Sequence, residues 1–233
     1  MTSNDEFGLR KRRYAVLLAL LLVALAVQTF NVRGVGRFIA DAFASALAIG
    51  IWFVVFERPR ERAAMAGLLV ATLTISWARY VAGAGLDRLL SLVDQTLVAL
   101  LLWSAVFVIM RDLFTSHAAG AEKVLGAICG YIIAGDAWGR INAITYLLLP
   151  SAYSINPEVI ALLPDWHGRT SLFTYYAFAQ VLTIGYSDVT PVRAPATTWS
   201  LFAALFGVFY TAIVVSVFVG LAQSGKGKSG DNQ

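Results

Sequence analysis

The sequence predicts an all-α integral membrane protein, and three observations carry that expectation. Hydrophobic residues make up 58% of the chain and charged residues only 14%, against about 25% charged in an ordinary soluble domain. The apolar residues lie in blocks rather than evenly along the chain. Six of these blocks are long enough to span a ~30 Å hydrocarbon core, which takes roughly 20 residues of helix. They are Tyr14–Phe30, Phe38–Phe56, Ala63–Ala82, Leu89–Met110, Val124–Pro150 and Thr198–Ala222. A shorter block, Ser171–Leu182, cannot cross.

Each block has its own context. The first follows a basic arm, residues 1–13, containing "LRKRR", but no small-x-small cleavage site follows it, so it is expected to remain as a helix. The first four blocks, residues 14–112, are joined by short connections such as "ERPRERA", which makes them antiparallel neighbours in a four-helix bundle. The fifth block carries Gly126, Gly130, Gly135 and Gly139 at a spacing that lets helix backbones approach closely in lipid. Residues 113–223 hold this block, a long connection, the short block and the last helix, and residues 224–233 form a polar tail.

Basic residues set an orientation. With the N-terminus inside, Arg10, Lys11, Arg12, Arg13, Arg58, Arg60, Arg62, Arg111, Lys123, Lys226 and Lys228 face the cytoplasm, while Arg33, Arg37, Arg88, Arg169 and Arg193 face out. Eleven against five places both termini in the cytoplasm, and a bacterial inner (plasma) membrane is the expected location. The net charge of +4 is thus accounted for by topology, and no nucleic-acid partner is expected. Cys129 lies inside an apolar block, and His117 and His167 have no ligand-like neighbours at metal spacing. No nucleophile constellation or phosphate loop occurs, so no enzyme activity, organic cofactor or soluble regulatory domain is expected.

The short block leads into "VLTIGYSDVTPV". Twelve residues of helix cover about 18 Å, so Ser171–Leu182 can enter the membrane and stop part-way. The chain must then return outward in extended form, and irregular backbone at that depth is tolerated only when it is buried in protein or lines a watery path. Thr183 offers a hydroxyl and a carbonyl, and Gly185 permits backbone angles closed to other residues. Ile184 and Tyr186 would point away from the axis and wedge the strand. Successive carbonyls would then replace a cation's hydration shell, and the negative end of the short helix would favour a cation there. One such motif per chain requires several chains around an axis, hence a symmetric homotetramer in lipid.

The stretch resembles the potassium-channel family, whose filter reads Thr-Val-Gly-Tyr-Gly-Asp. Thr183, Ile184, Gly185, Tyr186 and Asp188 match it, Tyr175 and Tyr176 sit where the family often has an aromatic pair, and Pro191 matches a common proline. The resemblance runs over roughly Leu172–Val219 and extends by topology to members with six transmembrane helices. It implies a re-entrant pore helix and filter between the last two helices, with K⁺ as the permeant ion and residues 113–223 as a pore domain. Ser187 replaces the second glycine, where a side chain costs on the order of 1–3 kcal/mol, so a weakly selective Na⁺/K⁺ channel is the alternative. A potassium-transporter subunit and a non-conducting scaffold are further alternatives.

Ala179 stands where some members carry a carboxylate, which leaves Tyr175 or Tyr176 as the hydroxyl partner that braces Asp188; a solvated Asp188 is the alternative. Gly207 falls at the family's hinge glycine, or is a packing glycine. Thr211, Val215 and Val219 recur every four residues, lining an inner cavity and gate or packing into the core. Leu89–Met110 lacks the repeated basic residues of a voltage sensor. Intramembrane charge needs partners: Arg79 is expected to pair with Asp41, Asp94 or both, or to snorkel outward. Asp136 and Arg140, four apart, are expected to pair within their helix or to link the bundle to the pore unit.

Overall fold

The computed structural model describes residues 13–29, 35–81, 86–115, 120–163, 166–185 and 188–227. The described chain is mostly helical: α1 (Arg13–Thr29), α2 (Val35–Val55), α3 (Pro59–Ala78), α4 (Asp87–Thr115), α5 (Gly120–Leu148), α6 (Pro157–Leu162), α7 (Trp166–Val181) and α8 (Ala194–Gly227). Among the described residues, four stretches are long and apolar enough to cross a membrane: Phe38–Val55, Asp87–Thr115, Glu122–Leu148 and Ala194–Phe218. Two of the six expected spans fall short of that measure. The apolar part of α1, Arg13–Val27, is too short, and α3 opens on Pro59, Arg60, Glu61 and Arg62, which dilute its apolar content.

Proline at the start of α3 and of α6 fits the first helical turn, where the missing N–H is no loss. Asn156 caps α6 by accepting from the Glu158 amide at 3.1 Å. Arg88 donates through Nε and Nη2 to the Leu147 carbonyl at 3.2 and 2.6 Å, satisfying an acceptor at the end of α5.

One element departs from the all-α expectation. A two-stranded antiparallel sheet joins β1 (Tyr153–Ile155) to β2 (Val189–Pro191), in the register Tyr153↔Pro191, Ser154↔Thr190, Ile155↔Val189. It clips the long connection after α5 to the segment following residue 188. Three residues are too few to show a period-2 pattern, so the pairing leaves no trace in the sequence. Behind it, the Tyr153 hydroxyl donates to Asn142 Oδ1 at 2.7 Å, and burial pushes that hydroxyl well above its usual pKa.

Helix α5 is the hub, packing against α1, α4, α7 and α8. Its glycines do not share one partner. Gly126 lies against Tyr14, Gly130 against Tyr210 and Ile109, Gly135 against Phe178, and Gly139 against Thr174. At Gly139 a Cβ would stand 2.7 Å from the Thr174 Cα, so two backbones meet where no side chain fits. Cys129 is fully buried among the apolar side chains of the core. Trp103, Trp138 and Phe206 tie α4, α5 and α8 together, with Trp103 edge-on to both of the others at 5.3 and 5.8 Å.

Gly139→Leu is expected to force α5 and α7 apart. Overpacking of this kind costs about 1–3 kcal/mol or more, so the thermal midpoint of the detergent-solubilised protein should fall by about 2–4 °C for each kcal/mol. An unchanged midpoint would show that the two backbones are not in contact.

Candidate functional site

The sequence motif lies where α7 ends. A helix C-terminus leaves carbonyls without intrahelical donors, and here the following residues supply them. The Thr183 amide donates to Gln180 O at 2.9 Å, and the Ile184 amide to Ala179 O at 2.9 Å, with Gly185 N on the same oxygen at 3.1 Å. This is the paired pattern of a Schellman cap. Its left-handed position, usually glycine, is occupied by Thr183 at φ +56°, an outlier for a β-branched residue. Gly185 follows at φ +79°.

The backbone therefore does not extend directly from Val181, as expected from the sequence. It turns first, because the helix-end carbonyls claim the amides of residues 183–185. Ile184 is 46% exposed within the single chain. Tyr186 and Ser187 lie outside the described residues. Beyond them, the Asp188 carbonyl accepts from the Asn156 amide at 3.0 Å, and β2 begins.

The aromatic pair divides. Tyr176 is fully buried and its hydroxyl is hydrogen-bonded to Ser200 on α8. Tyr175 is 46% exposed. The Tyr176 hydroxyl is thus turned toward α8. At Gly207 a Cβ would overlap the Val181 carbonyl oxygen, so α8 packs closely on the end of α7 there. Thr211 is exposed and its hydroxyl bonds back to the Gly207 carbonyl at 2.9 Å. Val215 is exposed too, and the Val219 side chain lies outside the described residues.

Arg79, Asp94, Asp136 and Arg140 belong to one connected chain. Arg79, just past α3, donates to Asp94 Oδ2 on α4 at 3.1 Å, and the Ser76 hydroxyl bonds the other oxygen of Asp94. Gln95 Nε2 reaches Asp94 Oδ2 at 3.4 Å and passes the path on, its Oε1 accepting from Arg140 Nη1 at 3.1 Å. Arg140 also holds Asp136 Oδ2 at 3.2 Å, and Asp136 Oδ1 accepts from the Thr174 hydroxyl on α7 at 3.0 Å. Asp41 is placed elsewhere, accepting from the Tyr80 hydroxyl. Asp87, 4.0 Å from Arg79, stands as a further acid that the sequence reading overlooked.

Among these groups opens a cavity of about 90 Å³, lined by Asp41, Ser76, Asp94, Asp136 and Arg140 among others. It has room for about three waters at ~30 Å³ each. Gln95, Ser76 and Thr174 complete the network yet gave no sequence signal, since one polar residue on an apolar helix has no period to betray its partner.

Leaving a buried charge unpaired is costlier than losing the pair, by about 3–5 kcal/mol for one deleted partner. Arg79→Gln alone should destabilise the protein more than Arg79→Gln combined with Asp94→Asn. A loss in the double variant equal to the sum of the two single losses in chemical unfolding would show the two side chains to be independent. In a conducting preparation Arg79→Gln should also shift open probability; a loss of folding with no such shift assigns the pair a structural role.

A family model described as an ion channel matches residues 161–224, from the end of α6 through most of α8. Neither the curated proteins nor the solved structures contain a match to the chain.

Proposed function

We propose that residues 161–224, which match an ion-channel family model, form a pore domain of the potassium-channel type, and that the protein is a homotetrameric channel passing K⁺ down its gradient through residues 183–187. Passive ion conduction in a membrane is the function such a domain serves. The proposal adds the ion, the filter and the assembly.

The observation that carries this reading is the depth at which α7 ends. Along α5, Thr174 faces Gly139, Phe178 faces Gly135, and Val181 meets Tyr131. Tyr131 lies well inside the span Glu122–Leu148, and Gly207, against which Val181 rests, lies in the middle of the span Ala194–Phe218. Helix α7 thus stops near mid-membrane if α5 and α8 cross. From there the seven residues 182–188 extend at most ~25 Å, enough to climb the ~15 Å from the midplane to the surface of a ~30 Å core.

Non-helical backbone at that depth needs a watery path or protein around it. Residues 182–185 are exposed in the single chain, so neighbouring copies around an axis would supply the enclosure. Leu201, Phe202, Leu205, Val208 and Phe209 leave α8 with a broad exposed apolar face, fit for lipid or for another copy. Thr183, Ile184, Gly185, Tyr186 and Ser187 would offer the carbonyls, with Asp188 and the Tyr175–Tyr176 pair at their outer flank. Thr211, Val215 and Val219 would line the inner passage.

In this reading all six long helices cross, with both termini in the cytoplasm, and α7 is the re-entrant pore helix. The first four helices form a bundle across residues 14–112 and residues 113–223 form the pore domain. The basic α3 start, with Arg111 bound to Glu61 at 2.6 Å, sits at the inner surface. Ser187 favours the weakly selective Na⁺/K⁺ variant as the second reading.

Purified protein in K⁺-loaded liposomes should release K⁺ when the counter-charge is balanced by an ionophore. No release across ion, voltage and pH conditions would sink the channel reading in favour of a scaffold. Ser187→Gly should raise discrimination against Na⁺; unchanged selectivity would make the serine a tolerated replacement.

A further inference from the structure

Val181 ends α7, and its carbonyl is the last oriented group before residue 183. The carbonyls of Phe178, Ala179 and Gln180 all receive backbone amides from residues 182–185. The carbonyl of Val181 is held differently: the Tyr131 hydroxyl, on α5, donates to it at 3.0 Å. Gly207, on α8, closes the other side, where any Cβ would overlap the oxygen. Val181 itself is 1% exposed, so no solvent competes for this acceptor.

The clamp is itself fixed. The Tyr131 ring packs on Tyr210 with centroids 5.3 Å apart, and Tyr210 is tied through its own hydroxyl to the Ala127 carbonyl at 2.7 Å. One carbonyl is therefore gripped by two helices, one by hydrogen bond and one by contact. The Val181–Leu182 peptide plane adjoins the turn in which Thr183 is held at φ +56°. The same plane carries the Leu182 amide, which donates to the Phe178 carbonyl at 2.9 Å, so both of its polar groups are held.

We propose that Tyr131 is a positioning residue for the filter: its hydroxyl, against the wall made by Gly207, fixes the Val181 carbonyl and thereby the geometry in which residue 183 presents itself to the ion. This rests on the channel reading above. The hydroxyl faces Thr211 on α8 as well as the Val181 carbonyl, and Gly207→Ala, which crowds the carbonyl alone, separates the two routes.

Tyr131→Phe keeps the ring and removes the bond. Losing one hydrogen bond shifts a conformational balance roughly two- to tenfold. Single-channel recording of the full-length protein in K⁺ and Na⁺ should show a change of that size in unitary K⁺ conductance or in the K⁺/Na⁺ permeability ratio. Thr72→Val removes a buried hydroxyl bond within α3, to the Leu68 carbonyl at 2.8 Å and away from Val181, and should leave both quantities within about twofold of the parent.

Recording reads only assembled channels, so partial misfolding leaves the comparison intact. Gly207→Ala crowds the same carbonyl from the opposite side and should disturb the same quantities. Unchanged conduction in both Tyr131→Phe and Gly207→Ala, or an equal change in Thr72→Val, overturns the inference. A parent protein that carries no current overturns the channel reading and this inference together.

Discussion

The junction of α5 with α7 is the constraint on which the rest of the molecule depends. Gly139 brings the two backbones together at Thr174. At the same level the Thr174 hydroxyl satisfies Asp136. A side chain at 139 would separate the helices, and the carboxylate at 136 would lose its contact with α7. Close approach and polar satisfaction therefore require one another. Because α5 also packs on α1, α4 and α8, the position of α7 is set by the same helix that organises the bundle.

The connected charges extend this logic. In a low-dielectric interior an unpaired polar group is penalised heavily, so each member of the chain from Arg79 to Thr174 is held by its neighbours. Such a chain gives no guarantee of net stability, since hydrophobic replacements can match it. What it does give is geometry: α3, α4, α5 and α7 share one set of hydrogen bonds. The cavity among these groups supplies local polarity inside an otherwise apolar bundle.

Much of this was legible in the sequence, and the failures have physical reasons. Long apolar blocks announce helices because lipid allows the backbone few other choices, and the Thr-Ile-Gly-Tyr motif falls within residues 161–224, which match the ion-channel family model. The short α1 and the charged start of α3 blurred the count of crossings. The β1–β2 clip was invisible because its strands are three residues each. The turn at Thr183 was missed because helix-end carbonyls, which the sequence does not display, decide where the amides of residues 183–185 point. Tyr176 went to Ser200 because packing between helices chose the partner. Asp41 went to Tyr80 for the same reason, and Arg79 to Asp94.

The central claim is that residues 183–187 select K⁺ while conducting it. The reversal potential of the reconstituted protein under bi-ionic K⁺ and Na⁺ tests this most directly, at about 59 mV for each tenfold permeability ratio. The account predicts a reversal displaced by at least that much in favour of K⁺. A reversal near zero, with current flowing, would contradict it.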